Sequence, residues 1–205
     1  MEEVLLRGGG DQFDIVMFGD EPYGNYNRIL LSSILSGAQD PREIFINPLD
    51  WYCENNIVLH VGAPVVDIDL AAKVVTSESG IREAYDKLLI ATGSRAYIPP
   101  IPGVYGTDQR LKPEVFGFRN IDDCNGIIAR AKQSSRAAVI GGGLLGLEAA
   151  RGLMTHDCEV HVVHAGKHLM NMQLDARAGA ILKSSMEKLG VTVRLEKEHS
   201  RGARR

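Results

Sequence analysis

Gly141, Gly143 and Gly146 stand in the stretch "AVIGGGLLGLEAARGL" with the spacing G-x-G-x-x-G. An apolar run precedes them and a leucine- and alanine-rich run follows, which reads as strand, tight turn and helix. In that order each glycine has its own task. The first closes the turn, the second lets backbone approach a pyrophosphate with no Cβ in the way, and the third lets the helix pack close to the strand. The helix, opening at Leu144 and Leu145, offers free N–H groups and the positive end of its dipole to phosphates. The chemistry is the holding of a dinucleotide. A bare glycine turn with no ligand would carry the same letters, and it is the strand, helix and following strand in register that favour the nucleotide.

Such a site expects an acidic side chain at the end of the next strand, to take the adenosine ribose of NAD. The segment "EVHVVHAGKH" offers His164 instead. It cannot accept two ribose hydroxyls as a carboxylate would, and Lys167 and His168 lie close by, so the residues leave both NADH and NADPH open. Glu148 stands one turn into the helix, where it either reaches a bound nicotinamide or faces solvent. In the first half, "FGDEPYGNYNRILLS" puts Glu21 just past a buried strand and Arg28 at a helix start, ready for a phosphate. Ala91, Thr92 and Gly93 end the run "LLIATGS" with small residues that admit a flat ligand. Taken singly, Glu21 and Arg28 are a surface pair and 91–93 a plain turn.

The elements needed to position these residues alternate along the chain. Asp14 to Gly19 reads as a buried strand, Arg28 to Leu35 as a short helix stopping at Gly37, and "NPLDWYCENN" as a helix capped by Asn47 with Pro48 in first place. "IVLHV" and "APVVDID" read as strands, followed by a hairpin-like excursion that returns to a buried strand over Lys87 to Ala91. "SRAYIPPIPGVYG" reads as a linker. Beyond it come a strand from Glu114 to Phe118, a helix from Asp122 to Lys132 capped by the aspartates, a strand from Arg136 to Ile140 and the helix after Gly143. A strand from Glu159 to His164 and a helix from about Asp175 to Leu189 complete the pattern, which is that of a parallel sheet covered by helices.

Composition bounds the rest. At 205 residues, 44% hydrophobic and 24% charged, the chain can bury a core, and its net charge of -3 gives no footing for nucleic acid or an anionic membrane. No apolar run nears the ~18 residues of a membrane span, and "MEEVLLRGGG" is acidic where a signal peptide is basic, so the expected location is cytoplasmic. Cys53, Cys124 and Cys158 are too far apart for a zinc or iron–sulfur motif and read as reduced thiols. The histidines at 156, 161, 164 and 168 do not share one strand face, so no metal site is expected. Trp51 and Tyr52 read as core, and the terminal "RGARR" as a disordered tail.

Together, "GNYNRILLS", "NPLDWY", "ATGS" and "VIGGGLLGLEAA" resemble the flavoprotein portion of the assimilatory NAD(P)H nitrite reductase large subunit, within the superfamily of two-dinucleotide-fold pyridine nucleotide-disulfide oxidoreductases. The likeness runs from about Asp14 to Leu195, and rubredoxin- and ferredoxin-reductase-like enzymes share most of the framework. It implies an α/β fold with two Rossmann-like three-layer units, a FAD-binding domain over 1–112 and an NAD(P)H-binding domain over 113–205. It also implies roles. Glu21 would hold the FAD ribose, Arg28 would lie along the FAD pyrophosphate, Val66 would meet the adenine, and Ala91, Thr92 and Gly93 would line the flavin. Gly141, Gly143 and Gly146 would cradle NAD(P)H, with Glu148 near the nicotinamide, and hydride would pass from nicotinamide to flavin.

The chain departs from that pattern at both ends. The family opens with a strand and a glycine loop for FAD, and here "EEVLLR" reads as the remnant of the helix that follows them. Weak or absent FAD binding is therefore expected, as of a fragment. The family's siroheme and iron–sulfur modules, or an electron-acceptor protein, would be the missing partners, with nucleotides as small-molecule ligands. Ser32 and Ser33 stand where NADH oxidases and CoA-disulfide reductases carry a flavin-side cysteine, which disfavours thiol chemistry. A non-catalytic nucleotide-binding or interaction fragment is the alternative from another class.

Overall fold

The structure is a computed structural model and describes residues 1–196; the tail "RGARR" lies outside the described residues. In chain order the elements are α1 (Glu2–Leu6), β1 (Ile15–Phe18), α2 (Leu31–Leu35), α3 (Leu49–Glu54), β2 (Ile57–His60), β3 (Val65–Asp69), β4 (Val74–Ser77) and β5 (Arg82–Ala84). They continue with α4 (Ile121–Ala131), β6 (Arg136–Ile140), α5 (Leu144–Leu153), β7 (Glu159–Val163), α6 (Ala176–Lys188) and β8 (Thr192–Arg194). This is an α/β fold. The residues divide into two compact units, one formed by Met1–Asn27 and Ile44–Gly93, the other by Arg28–Glu43 and the chain from Ser94 onward.

In the first unit β1 pairs in parallel with β2, and β3, β4 and β5 form an antiparallel sheet. His60 at the end of β2 stacks on Phe18 at 4.8 Å and meets Glu83 of β5 at 3.0 Å, so the two sheets are tied through one ring. Helix α3 is pinned by Tyr52, whose buried ring carries a hydroxyl that accepts the Asn25 N–H at 3.0 Å. Asn47 does not cap this helix. Its side chain accepts from Asn25 and donates to Glu2, and Pro48 takes the cap position with no side-chain bond. Both ends of the amide are thus directed to partners other than the helix, the oxygen to Asn25 and the nitrogen to Glu2.

Residues 87–91, expected as a buried strand, belong to no strand. Leu89 is 83% exposed and Ile90 65%. β1 pairs on one side only, with β2, so the first unit's parallel sheet has just two members among the described residues. A strand interior is stable only when its N–H and C=O groups find a ladder, and the apolar letters of 87–91 do not supply one.

The second unit holds a parallel sheet in the order β6-β7-β8. Val160 and Val162 of the central β7 are buried to 1% and 0% exposure, and meet Leu147, Ala150 and Leu153 of α5, Met186 of α6, and Val191 and Val193 in one cluster. Each buried valine or leucine contributes about 1.5–3 kcal/mol. Gly152 lets α2 approach α5, since a Cβ there would stand 2.8 Å from Leu35 Cγ. His156 and Thr155 secure the same contact by bonding the carbonyls of Leu35 and Ser36.

Two expectations for this unit need correction. Residues 114–118 form turn and coil rather than a strand, with Phe116 lodged where it blocks any Cβ at Gly126 of α4. Helix α4 is capped by Asn120, whose side chain accepts the Asp123 N–H at 2.7 Å while the Asp123 carboxylate receives the N–H groups of Arg119 and Asn120. Asp123 is thus the returning half of a capping box. β8, unforeseen in the sequence, adds the third parallel strand.

Candidate nucleotide site

Strand β6 delivers the chain to the turn. Gly141 extends the ladder by donating its N–H to Val163 O at 2.8 Å, then turns at φ +118°, a backbone conformation that L side chains rarely adopt. Gly142 donates to His164 Nδ1 at 3.2 Å and accepts the Met170 N–H at 2.8 Å. Gly143 then caps α5 with no side chain to occupy the helix's first N–H groups.

A Cβ added at each position separates their tasks. At Gly146 it would lie 2.1 Å from Gly141 O, which makes this glycine the contact between helix and turn. At Gly142 it would lie 2.5 Å from Leu169 Cδ2. At Gly143 it would meet nothing within 4 Å, so backbone here faces open space at the positive end of α5. An approaching pyrophosphate needs that combination of a closed floor, an open mouth and no side chain in front. NAD(P)H fits these residues.

Leu144 and Leu145 are 57% and 60% exposed beside the turn, and Glu148 is half-buried one turn further. His164, just past β7, uses both ring nitrogens inside the protein. Nδ1 accepts from Gly142, so the proton sits on Nε2, which donates to Asn171 Oδ1 at 3.2 Å. His164 is thus a brace for the glycine turn. Gly142 and Asn171 were missed in the sequence; the triple glycine was the signal for the first, and nothing local marks the second.

The other histidines are engaged separately, His156 with Leu35 O, His161 with Glu159 and His168 with Leu169 O. Among the described residues no group of three His, Cys, Asp or Glu could hold a metal ion, and no helix is long and apolar enough to cross a membrane. Burial, and then the Asp123 charge, push the Cys124 thiol up to about 12, while burial and Asp157 raise Cys158. Cys53 alone is exposed. The Arg42 side chain beside Asp40 holds that carboxyl down at about 2.

The residues implied for FAD in the first unit lie on three separate stretches, the loop after β1, strand β3 and the segment 91–93. The Glu21 carboxylate receives the Tyr26 hydroxyl, Val66 is 63% exposed on the antiparallel β3, and 91–93 lie in an exposed stretch outside any strand. Arg28 belongs to the second unit, where it donates to Arg119 O at 3.0 Å. No G-x-G-x-x-G turn between strand and helix occurs among the described residues of the first unit.

Comparison with known proteins agrees with a nucleotide-handling fold. The chain is 46% identical over 196 residues to nitrite reductase [NAD(P)H] of Bacillus subtilis, a match spanning 96% of this chain and 24% of that protein. The chain thus spans about a quarter of the length of that relative. The crystal structure of NADH:rubredoxin oxidoreductase from Clostridium acetobutylicum superposes with a TM-score of 0.79 at 29% identity, covering 90% of this chain and 47% of that one. The covalent putidaredoxin reductase–putidaredoxin complex gives a TM-score of 0.82 at 25% identity over 94% of this chain and 46% of that one. The model of the pyridine nucleotide-disulphide oxidoreductase family matches residues 4–204, nearly the whole length, and the chain belongs to that family.

Proposed function

We propose that this chain is the coenzyme-holding portion of an NAD(P)H-dependent oxidoreductase of the nitrite reductase type, with the nucleotide at the Gly141–Gly146 turn. One observation carries the reading: Gly143 presents bare backbone to open space at the head of α5, while Gly146 is locked against Gly141. When bound, the coenzyme supplies a hydride from nicotinamide C4. The protein's part is to orient it, with the amides of Leu144 and Leu145 toward the phosphates and Glu148 toward the nicotinamide. The division into a flavin-side region over 1–112 and a nicotinamide-side region over 113–205 belongs to the proposal. So do a cytoplasmic setting and an electron acceptor, either a siroheme and iron–sulfur module or a small redox protein such as rubredoxin.

A second reading, a nucleotide-binding module without catalysis of its own, is favoured by the glycine turn and its parallel sheet lying wholly within the second unit. A visible spectrum and a coenzyme titration of the purified chain separate the two. A colourless protein that binds NADH or NADPH saturably supports the module, and flavin bands bleached by the coenzyme support the complete reductase. The absence of any saturable signal in folded protein would refute the nucleotide site itself.

A further inference from the structure

His164 holds the glycine turn through an acceptor that a single proton removes. The loop from His164 to Met170 grips Gly142 by both of its backbone groups: the N–H donates to His164 Nδ1 at 3.2 Å, and the carbonyl accepts the Met170 N–H at 2.8 Å. The fit is close, since a Cβ at Gly142 would stand 2.5 Å from Leu169 Cδ2 and 3.0 Å from His164 Cγ. The ring is fixed in its turn. Nε2 donates to Asn171 Oδ1 at 3.2 Å, and the backbone N–H of His164 bonds Arg194 O at the end of β8 at 2.9 Å. The charged and titratable groups on the elements around the ring are Lys167 and His168 of its own loop, Arg194, Glu196, whose N–H bonds Gly166 O, Glu148 of α5, and Lys183 of α6, which shares a cleft with Asn171. Residues 141–143 carry none, and the ring nitrogens are bonded to Gly142 and Asn171.

We infer that His164 is a proton-sensitive positioning residue, whose neutral ring keeps the Gly141–Gly146 turn in shape for the coenzyme and whose protonation loosens it. The inference rests on the coenzyme reading above. In the neutral imidazole with its proton on Nε2, Nδ1 is an acceptor and the Gly142 N–H is satisfied. In the imidazolium both nitrogens are donors, so two N–H groups confront each other across 3.2 Å and one must move. Gly142 is buried, and a buried N–H stripped of its acceptor is costly. It also adjoins Gly143, where bare backbone faces open space, so a shift at 142 displaces the surface that meets the phosphates. The positive charge gained by the ring attracts those phosphates in the opposite sense. His164 is only half-buried, however, and salt screens that attraction, whereas the lost bond lies inside the turn. Histidine changes charge between about pH 5 and 8, so acidification across that range should release the coenzyme.

Titration of the full chain with ADP-ribose, whose pyrophosphate keeps its charge over this range, tests the inference at physiological salt. Affinity should fall at least fivefold from pH 8 to pH 5. His164→Leu, which has no acceptor for Gly142, should bind at least fivefold more weakly than the parent at pH 8 and show little further loss at pH 5. His164→Asn sets an amide oxygen where Nδ1 stands and takes up no proton, so it should restore most of the affinity lost in His164→Leu and differ less than twofold between the two pH values. In the ligand-free protein the nuclear magnetic resonance of the Gly142 amide should shift with the same midpoint as the His164 ring, a readout that needs no coenzyme. An affinity that stays level or rises in acid, a His164→Asn protein that keeps the parent's decline, or a Gly142 amide that does not follow the ring overturns the inference and leaves the coenzyme reading standing. No saturable binding of ADP-ribose to the folded parent at pH 8 overturns both.

Discussion

Alanine at 143 and alanine at 146 should fail in different ways, because the two glycines face opposite sides of the same turn. A Cβ at 146 would stand 2.1 Å from Gly141 O and 3.0 Å from Gly141 C, both backbone atoms that cannot rotate aside. Ordinary contact begins near 3.4 Å, so helix and turn must part by about 1.3 Å. Overpacking of that kind costs about 1–3 kcal/mol. Gly146→Ala should therefore lower the midpoint of denaturant unfolding of the second unit and also weaken the coenzyme, since the turn is no longer closed. At 143 the same methyl meets nothing within 4 Å. Replacing the cap glycine by alanine costs stability about 0.5–1 kcal/mol, because glycine ranks well above alanine at this position. Yet the methyl stands where the pyrophosphate must approach, and coenzyme affinity should drop tenfold or more, about 1.4 kcal/mol. Circular dichroism in denaturant measures the first quantity and coenzyme fluorescence the second. A Gly143→Ala protein that binds NADPH within twofold of the parent would refute the placement of the phosphates.

Four further outcomes follow from the packing. The native protein should present one thiol, Cys53, to a disulfide reagent at pH 8 and three after unfolding; rapid reaction of Cys124 or Cys158 in the native state would contradict their burial. Because the folded Cys124 thiol titrates near 12 against 9.0 for an ordinary one, its contribution to stability is whole below pH 9 and is lost as the pH rises toward 12. Denaturant melts across that window should show the decline, and Cys124→Ser should flatten it. Asn120→Ala should destabilise the second unit by about 0.5–2 kcal/mol through loss of the α4 capping box, with Asn120→Asp retaining most of it. Gly152→Val should cost about 1–3 kcal/mol, since even a Cβ there meets Leu35 Cγ at 2.8 Å, and should leave coenzyme affinity nearly unchanged relative to Gly143→Ala.

The parts of the fold that could be read from sequence are those whose cause is local. β6 over Arg136–Ile140 has the bounds its apolar run gives, α5 opens where the glycine spacing opens it, and α6 follows Asp175, whose side chain caps it through the Ala178 N–H at 2.8 Å. Where the letters misled, a remote partner decided. Asn47 has the residue type and position of a helix cap, but Asn25 and Glu2 claim its side chain from 22 and 45 residues away. Phe116 and Phe118 alternate as strand residues do, yet their stretch finds no strand to pair with and Phe116 packs on α4 instead.

The same distinction separates the two halves of the expected site. The Gly141–Gly146 site is a turn between two adjacent elements, so its shape depends on six residues and on the parallel strand β7 beside them. The residues implied for FAD are scattered from Glu21 to Gly93 and would have to be gathered by a sheet. Leu88, Leu89 and Ile90 keep the apolar character of a buried strand while standing 39%, 83% and 65% exposed. Their sequence asks for a sheet position that no described strand provides. The coenzyme turn carries its own support, in Gly146 against Gly141 and in the bond from Gly142 to His164.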